Sequence, residues 1–187
     1  IESEIFTFEE MSLAMQKLFW IDLEMTGLNV ENEVIIEVGA VITDLRMNAL
    51  ENYHAVVKQP PFYIQKMDEW NTKHHGESGL TAQIPNGRDP HLVEEDLLAL
   101  VKRHFPNPKE RPILAGNSIA QDRLFIDKYF PKLAASLHYR MLDVSSFKIV
   151  FNNIYNKKYE KKNAHRAVDD ILESINELKF YQEFIKV

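Results

Sequence analysis

The stretch LFWIDLEMTGL, Leu18–Leu28, decides the fold and raises the main chemical question. Its apolar residues are typical of a buried strand, yet it carries two carboxylates, Asp22 and Glu24. Residues i and i+2 of a strand point to the same face, so the two acids project side by side at the C-terminal end of the strand. Side-by-side carboxylates repel, and a divalent ion or a basic side chain should lie between them. The alternative is a solvated strand end.

Four further strands are predicted. The runs EVIIEVGAVITD (Glu33–Asp44) and ALENYHAVVK (Ala49–Lys58) follow the first strand, Lys17–Glu24, after short connections, which favours an antiparallel meander. The short apolar runs Arg111–Ser118 and Tyr139–Ser145 are bounded by turn or cap residues. Because helical patterns alternate with these last two strands, the sequence predicts an α/β fold with a mixed five-stranded sheet flanked by helices.

Three helices are predicted, two of them with clear limits in the sequence. One follows Pro90 and stops at Pro106, and another is opened by Ser118 and stops before Pro131. The last has one apolar face at 4-3-4-3 spacing, made of Ala164, Val168, Ile171, Ile175 and Leu178.

Composition excludes several kinds of site. The chain of 187 residues has no cysteine, which rules out disulfides, thiolate zinc sites and cysteine nucleophiles. A metal would need oxygen or imidazole ligands, which favours a hard cation such as Mg²⁺ or Mn²⁺. The net charge is −6, and the densest cationic patch is only NKKYEKKNAHR, residues 156–166. A long polyanion is therefore a poor ligand, whereas a short nucleic acid held locally remains compatible.

Length and segment composition predict the organisation of the chain. No apolar window approaches the roughly 20 residues of a membrane span, and the first ten residues are acidic, unlike a signal or transit peptide. We expect a soluble intracellular protein, cytoplasmic or alternatively mitochondrial. We expect one domain over residues 1–187, with its core at about 17–185 and with residues 1–16 as an added or processed leader.

A third acid, Asp122, lies one turn beyond Ser118, the expected cap of a helix. That position directs it back toward the edge of the sheet. Asn117 and Ser118 offer donors at a helix N-terminus, where a phosphate could bind. The alternative for Asp122 is an ordinary first-turn acid that complements the helix dipole.

The last helix begins near a histidine and two acids, His165, Asp169 and Asp170. A neutral imidazole there could take a proton from a water molecule, although a surface or capping role is the alternative. On a regular helix Asp169 shares a face with His165, while Asp170 lies about 140° away. That objection to Asp170 lapses if His165 precedes the helix.

Taken together, these motifs resemble a known family. They are WIDLEMTGL, MDEWNTKHHGESGLT, LAGNSIAQDR, HYRMLDVS and AHRAVDDILES. The chain resembles the DEDD exonucleases of the branch with a histidine base, which have a ribonuclease H-like fold, from about Leu18 to Phe184. The D-x-E pair alone is a weak signal, but the combination is specific.

The resemblance implies a complete active site. The ligands of two Mg²⁺ or Mn²⁺ ions would be Asp22, Glu24, Asp122 and Asp170, and His165 would be the general base. It selects Asp170 over Asp169 and implies that His165 lies in a loop. The implied reaction is two-metal hydrolysis from the 3′ end, which converts dinucleotides and short oligoribonucleotides to nucleoside 5′-monophosphates.

The resemblance also implies how the substrate is held. Bases would lie between Leu28 and Trp70 near His75, the 5′ phosphate would bind a cap, and a homodimer would contribute residues across subunits. The cap residues are Ser118, Gln121 and Ser145, and the cross-subunit residues are Tyr139 and Arg140. On composition alone, Trp70 could equally be a packed helix residue, and Tyr139 and Arg140 ordinary residues before a strand.

Two other functions compete with a nuclease of short RNA. One is a module that binds nucleotides or RNA ends without cleaving them, and the retention of all four acids and His165 argues against it. The other is an exonuclease of longer RNA or DNA, and the lack of a basic track argues against it. The segment IVFNNIYNKKYEKKN, residues 149–163, departs from the family pattern, which often has arginines and a tryptophan there.

Overall fold

The computed structural model describes residues 16–107, 109–160 and 166–185. Its five strands are β1 (Lys17–Met25), β2 (Ile35–Asp44), β3 (Ala49–Val56), β4 (Ile113–Gly116) and β5 (Met141–Asp143). They form one sheet in the order β3-β2-β1-β4-β5. The strands β1, β2 and β3 are antiparallel neighbours, whereas β4 is parallel to both β1 and β5. The predicted mixed five-stranded sheet is confirmed.

Helices connect and cover the strands. In the described ranges they are α1 (Pro61–Gln65), α2 (Glu69–Glu77), α3 (Leu80–Gln83), α4 (Pro90–His104), α5 (Ile119–Tyr129), α6 (Pro131–Ser136), α7 (Val144–Asn153) and α8 (Ala167–Gln182), with a short 3₁₀ turn at Ile84–Asn86. The limits predicted from Pro90, Pro106, Ser118 and Pro131 agree with α4 and α5. Within these ranges, no helix combines the length and apolar character needed to span a bilayer.

The central strand β1 sends alternate side chains into two cores. Phe19 and Ile21 belong to the cluster that includes α4 and α5, whereas Leu18 and Trp20 pack with residues of α8. Because the alternation continues along the strand, the side chains of Asp22 and Glu24 both lie on the α8 side of the sheet. Burial of both sheet faces therefore fixes which helix the two acids of β1 face.

The last helix differs from its predicted apolar face. It begins at Ala167, and two residues of the prediction, Ala164 and His165, lie outside the described residues. Val168 is only half-buried, and the buried stripe starts instead with Ala167. This stripe also contains polar residues, which the apolar pattern did not predict: Ser174, Glu177 and Tyr181.

The start of α8 lies directly on β2 at Gly39. A Cβ atom built on Gly39 would lie 2.8 Å from the carbonyl carbon of Ala167 and 2.9 Å from the backbone nitrogen of Val168. The missing side chain therefore allows the helix to approach the sheet closely, next to Asp22, the β1 partner of Gly39.

Candidate active site

Three of the predicted acids meet where β1 faces the first turns of α8. Asp22, Glu24 and Asp170 each offer a carboxylate oxygen, and these oxygens lie within 4.8 Å of one another. All three side chains are half-buried. Asp169, the alternative to Asp170, is exposed and is not part of the group.

The fourth acid, Asp122, approaches from the other side of β1. It lies in the first turn of α5 and is buried, and its Oδ1 accepts the backbone N–H of Leu23 at 2.9 Å. Leu23 is the residue between Asp22 and Glu24. The structure thus ties Asp122 to the strand that carries the acid pair, while the group within 4.8 Å contains the other three acids.

The electrostatics of these acids favour a bound cation. Burial is the main cause that raises the pKa of Glu24 to about 7, and the carboxylates of Asp170, Glu37 and Asp122 raise it further, against the lowering effect of Arg166. Burial also raises the pKa of Asp122, although the N–H of Leu23 opposes it. A divalent cation would relieve both desolvation and repulsion, and carboxylate oxygens are its preferred ligands. These residues fit a metal site and exclude the fully solvated strand end.

Asn117 and Ser118 precede α5 in a way that the sequence did not predict. Ser118 has φ 52° and ψ 33°, and its side chain does not cap the helix. Its N–H donates to Oδ1 of Asp143 at 3.0 Å and to Oγ of Ser145 at 2.8 Å. The amide of Asn117 donates away from this helix end, to Ser174. Ser118 is thus the residue before α5, as predicted, but without the expected side-chain cap bond, and its hydroxyl is exposed, whereas the Asn117 amide is engaged within the fold.

Two predicted base-contacting residues are exposed apolar side chains. Leu28 is 74% exposed and Trp70 is 56% exposed, and the indole of Trp70 stacks on the ring of His74 at 3.8 Å. Gln121 donates from Nε2 to the carbonyl oxygen of Leu28 at 2.7 Å, which ties the loop after β1 to α5. Exposed apolar groups in these positions are available to contact bases.

The third, His75, is placed differently. It is buried, and its Nε2 donates to the carbonyl oxygen of Met25 at 3.0 Å. Burial lowers the pKa of His75, which favours the neutral ring. His75 therefore fastens α2, which carries Trp70, to the end of the strand that carries the two acids.

Tyr139 and Arg140 lie on the surface just before the edge strand β5. Tyr139 is exposed and stacks on His138 with ring centres 4.5 Å apart. The guanidinium of Arg140 lies 5.4 Å from the centre of the Tyr139 ring. Both side chains are thus available to another molecule.

One buried acid near the site was not predicted from the sequence. Glu37 is fully buried and is the cross-strand partner of Glu24. Its Oε1 accepts two bonds from Arg166, at 2.7 and 2.9 Å, and one from His54 at 2.7 Å. An acid inside the otherwise apolar run of β2 was the available signal. Since Arg166 is the N-cap of α8, Glu37 anchors the start of the helix that carries Asp170.

The family of the chain follows from its similarity to known proteins. The RNase T family model, described as an exonuclease, matches residues 19–178, which include all four acids. The chain belongs to the exonuclease family. Membership makes it a hydrolase of the exonuclease class, and its acidic cluster agrees with the use of a divalent metal.

Its relatives within the exonuclease family include oligoribonucleases. It is 42% identical to the human mitochondrial oligoribonuclease over 176 residues, which is 91% of this chain and 73% of that protein. It is 43% identical to the oligoribonuclease of Francisella tularensis subsp. tularensis (strain WY96-3418) over 171 residues, 89% of this chain and 94% of the relative. The oligoribonuclease of Ectopseudomonas mendocina (strain ymp) is 45% identical over 175 residues, 90% of this chain and 96% of the relative.

Solved structures show the same exonuclease fold at low identity. A zinc-bound complex of exonuclease I from E. coli with single-stranded DNA has a TM-score of 0.71 and 14% identity, and the match covers 89% of this chain. The complex of that enzyme with a dA16 oligonucleotide has a TM-score of 0.69 and 13% identity over 90% of this chain. This chain spans about 40% of the length of each.

Proposed function

We propose that this protein is a 3′-to-5′ exoribonuclease that hydrolyses dinucleotides and short oligoribonucleotides to nucleoside 5′-monophosphates. The observation that carries the proposal is the group of Asp22, Glu24 and Asp170, with ligand oxygens within 4.8 Å of one another. The group lies in a chain that is 42% identical to the human mitochondrial oligoribonuclease. We also propose that the chain forms a single exonuclease domain, as expected from the sequence.

The proposed metal ligands are Asp22, Glu24, Asp122 and Asp170, which would hold two Mg²⁺ or Mn²⁺ ions. When bound, such ions polarise a phosphate, lower the pKa of water and neutralise charge at the leaving oxygen. The four acids come from β1 and from α5 and α8, the two helices that pack against β1. This packing supports a site whose ligands are fixed before the substrate arrives.

The general base in this proposal is His165, which lies outside the described residues. Its neutral imidazole would take a proton from the attacking water. The next residue along the chain, Arg166, is held by two hydrogen bonds to the buried carboxylate of Glu37. Glu37 therefore fixes the chain immediately after the proposed base, at the point where α8 begins and carries Asp170 in its first turn.

The proposed substrate contacts use the exposed groups around the acids. Stacking on the indole of Trp70 accepts any base, which suits a nuclease without sequence preference. Leu28 would contact the neighbouring base. His75 would hold α2, the helix that carries Trp70, in place. The net charge of −6 supports a short substrate held by local contacts rather than a long strand held by a basic surface.

Contacts with the ends of the substrate would determine which substrate lengths are preferred. A cap on the 5′ phosphate is proposed from Ser118, Gln121 and Ser145. Tyr139 and Arg140 would complete it from the second subunit of a homodimer, and their exposure is compatible with that role. The compartment is proposed as the cytoplasm or the mitochondrion, and the relatives include proteins named as mitochondrial.

The experiment is Mn²⁺-dependent release of mononucleotides from 5′-labelled RNAs of two to ten residues. The proposal predicts rapid cleavage of the dinucleotide by the parent and loss of cleavage in Asp22→Ala and His165→Ala. Cleavage that increases with length would retain the nuclease and discard the preference for dinucleotides. Absence of metal-dependent cleavage at every length would leave the binding module instead.

A further inference from the structure

A polar stripe runs along the buried face of α8. Asp170, Ser174, Glu177 and Tyr181 follow one another at 4-3-4 spacing, so they share one face of the helix. Glu177 and Tyr181 are fully buried, and Ser174 nearly so. A buried carboxylate is unfavourable unless it is well hydrogen-bonded, so Glu177 calls for a structural or functional reason.

The stripe connects the helix of Asp170 to the end of β4. Ser174 donates from its hydroxyl to the carbonyl oxygen of Asp170 at 2.8 Å. Asn117 donates from Nδ2 to Oγ of Ser174 at 2.7 Å and to Oε2 of Glu177 at 3.1 Å. Tyr181 donates to the other oxygen of Glu177 at 3.0 Å.

The carboxylate fixes the direction of the remaining hydrogen bonds. Because Asn117 directs its NH₂ group at Oε2 of Glu177 and at Oγ of Ser174, its Oδ1 points away from them. That oxygen lies 3.2 Å from Oγ of Ser145, whose hydroxyl must be the donor. The Ser145 oxygen is then an acceptor, and it receives the N–H of Ser118 at 2.8 Å.

The chain of bonds therefore assigns different roles to the two serines. The Ser145 proton is directed at Asn117, whereas the hydroxyl of Ser118 is exposed, 3.2 Å from Oγ of Ser145. Of the two hydroxyls, that of Ser118 keeps a proton that it can turn toward a ligand without breaking the bond to Asn117. Asp143 holds the backbone N–H groups of both serines and so fixes their spacing.

We propose that Glu177 and Asn117 are positioning residues for recognition of the 5′ end of the substrate. They orient Ser145 and Ser118 so that, within the proposed cap, Ser118 donates to a 5′ phosphate and Ser145 holds Ser118 in place. They also tie this point to the helix of Asp170. Neither residue touches the substrate in this arrangement. The inference rests on the proposed function and adds the residues that set the distance between the 5′ cap and the acids.

The test compares two RNA dinucleotides of adenosine, one with a 5′ phosphate and one with a 5′ hydroxyl. The measured quantity is the ratio of their kcat/KM values. For Glu177→Gln, whose amide no longer fixes Asn117, we expect the ratio to fall by about fivefold to tenfold, the effect of one hydrogen bond. Asn117→Ala, at a half-buried position, removes the acceptor of Ser145 and should lower the ratio similarly.

A double variant tests whether Glu177 acts through Asn117. The ratio for Glu177→Gln combined with Asn117→Ala should equal that for Asn117→Ala alone. A matched control is Glu94→Gln, since Glu94 is also a buried carboxylate and accepts the backbone N–H groups of Lys132 and Leu133. It should lose stability like Glu177→Gln while its ratio stays that of the parent.

The outcomes separate this inference from the proposed function. If the parent cleaves both dinucleotides and the ratio is unchanged in both single variants, the positioning role is refuted and the nuclease stands. A parent ratio near one would equally overturn the role, because there would be no 5′ preference to set. Equal losses on both substrates would show a merely structural role, and a parent that cleaves neither would overturn both proposals.

Discussion

Replacing Gly39 by alanine should impair catalysis although Gly39 belongs to none of the proposed ligand or substrate contacts. The new Cβ would lie 2.8 Å from the carbonyl carbon of Ala167, whereas ordinary contacts start at 3.4 Å. The helix and the strand must therefore separate by about 0.6 Å at this point. Asp170 lies one turn further along α8 and should move with Ala167.

The expected losses follow from this displacement. Overpacking of this kind destabilises a protein by about 1–3 kcal/mol. A misplacement of about 1 Å can reduce a rate about a hundredfold, so we expect kcat to fall about tenfold or more at saturating Mn²⁺. The assay is mononucleotide release from an RNA dinucleotide, with thermal unfolding measured on the same samples to correct for unfolded protein.

Gly76→Ala is the steric control. Gly76 lies in α2, and a Cβ there would have nothing within 4 Å. The control should therefore gain about 0.5–1 kcal/mol of stability from the helix and keep the parent kcat. A folded Gly39→Ala protein with the parent kcat and parent Mn²⁺ affinity would refute the idea that the contact between β2 and α8 places Asp170.

Three further predictions concern the base contact at Trp70, the bonds between Arg166 and Glu37, and the titration of Glu24. Trp70→Ala should raise KM for a dinucleotide about fivefold to a hundredfold, the range of about 1–3 kcal/mol for lost stacking, while Leu92→Ala, another exposed apolar change, should not. Arg166→Lys cannot keep both bonds to Glu37 and should lower Mn²⁺ affinity or activity about tenfold to a hundredfold; unchanged calorimetry and kinetics would contradict this. Because the pKa of Glu24 is raised from 4.5 to about 7, its protonation stabilises the metal-free fold fully below pH 4.5, and this stability is lost as pH rises through 7. Mn²⁺ competes with that proton, so its increase in Tm should be larger at pH 8 than at pH 6, and an equal increase would be contrary to this account.

Much of the sheet could be predicted because its strands are apolar and their connections are short. The observed ends of two strands differ from the predicted ends because hydrogen bonds outside the strands involve the terminal residues. The second strand was predicted from Glu33 but begins at Ile35, since the carbonyl of Val34 is bonded to the N–H of Thr26 in the preceding turn. The third strand ends at Val56, before Val57 forms a bridge to Arg88.

The site was predictable to the extent that its residues are close in sequence or form known motifs. The spacing of Asp22 and Glu24 showed that they share a face, but only the family pattern selected Asp170 over Asp169. The polar stripe of α8 was missed because its partner Asn117 is 57 residues from Ser174 and 60 from Glu177. Periodicity shows which face of a helix a residue occupies but does not show which distant side chain meets it.

The central claim is that Asp170, with Asp22 and Glu24, holds a divalent metal for phosphodiester hydrolysis. The most direct measurement is calorimetric Mn²⁺ binding, with dinucleotide cleavage, for the parent, Asp170→Asn and Asp169→Asn. The neighbours are matched in chemistry, but of the two only Asp170 has an oxygen in the group within 4.8 Å. We predict that Asp170→Asn loses Mn²⁺ binding and cleavage while Asp169→Asn keeps both. Retention of both by Asp170→Asn, or their loss in Asp169→Asn, would contradict the claim.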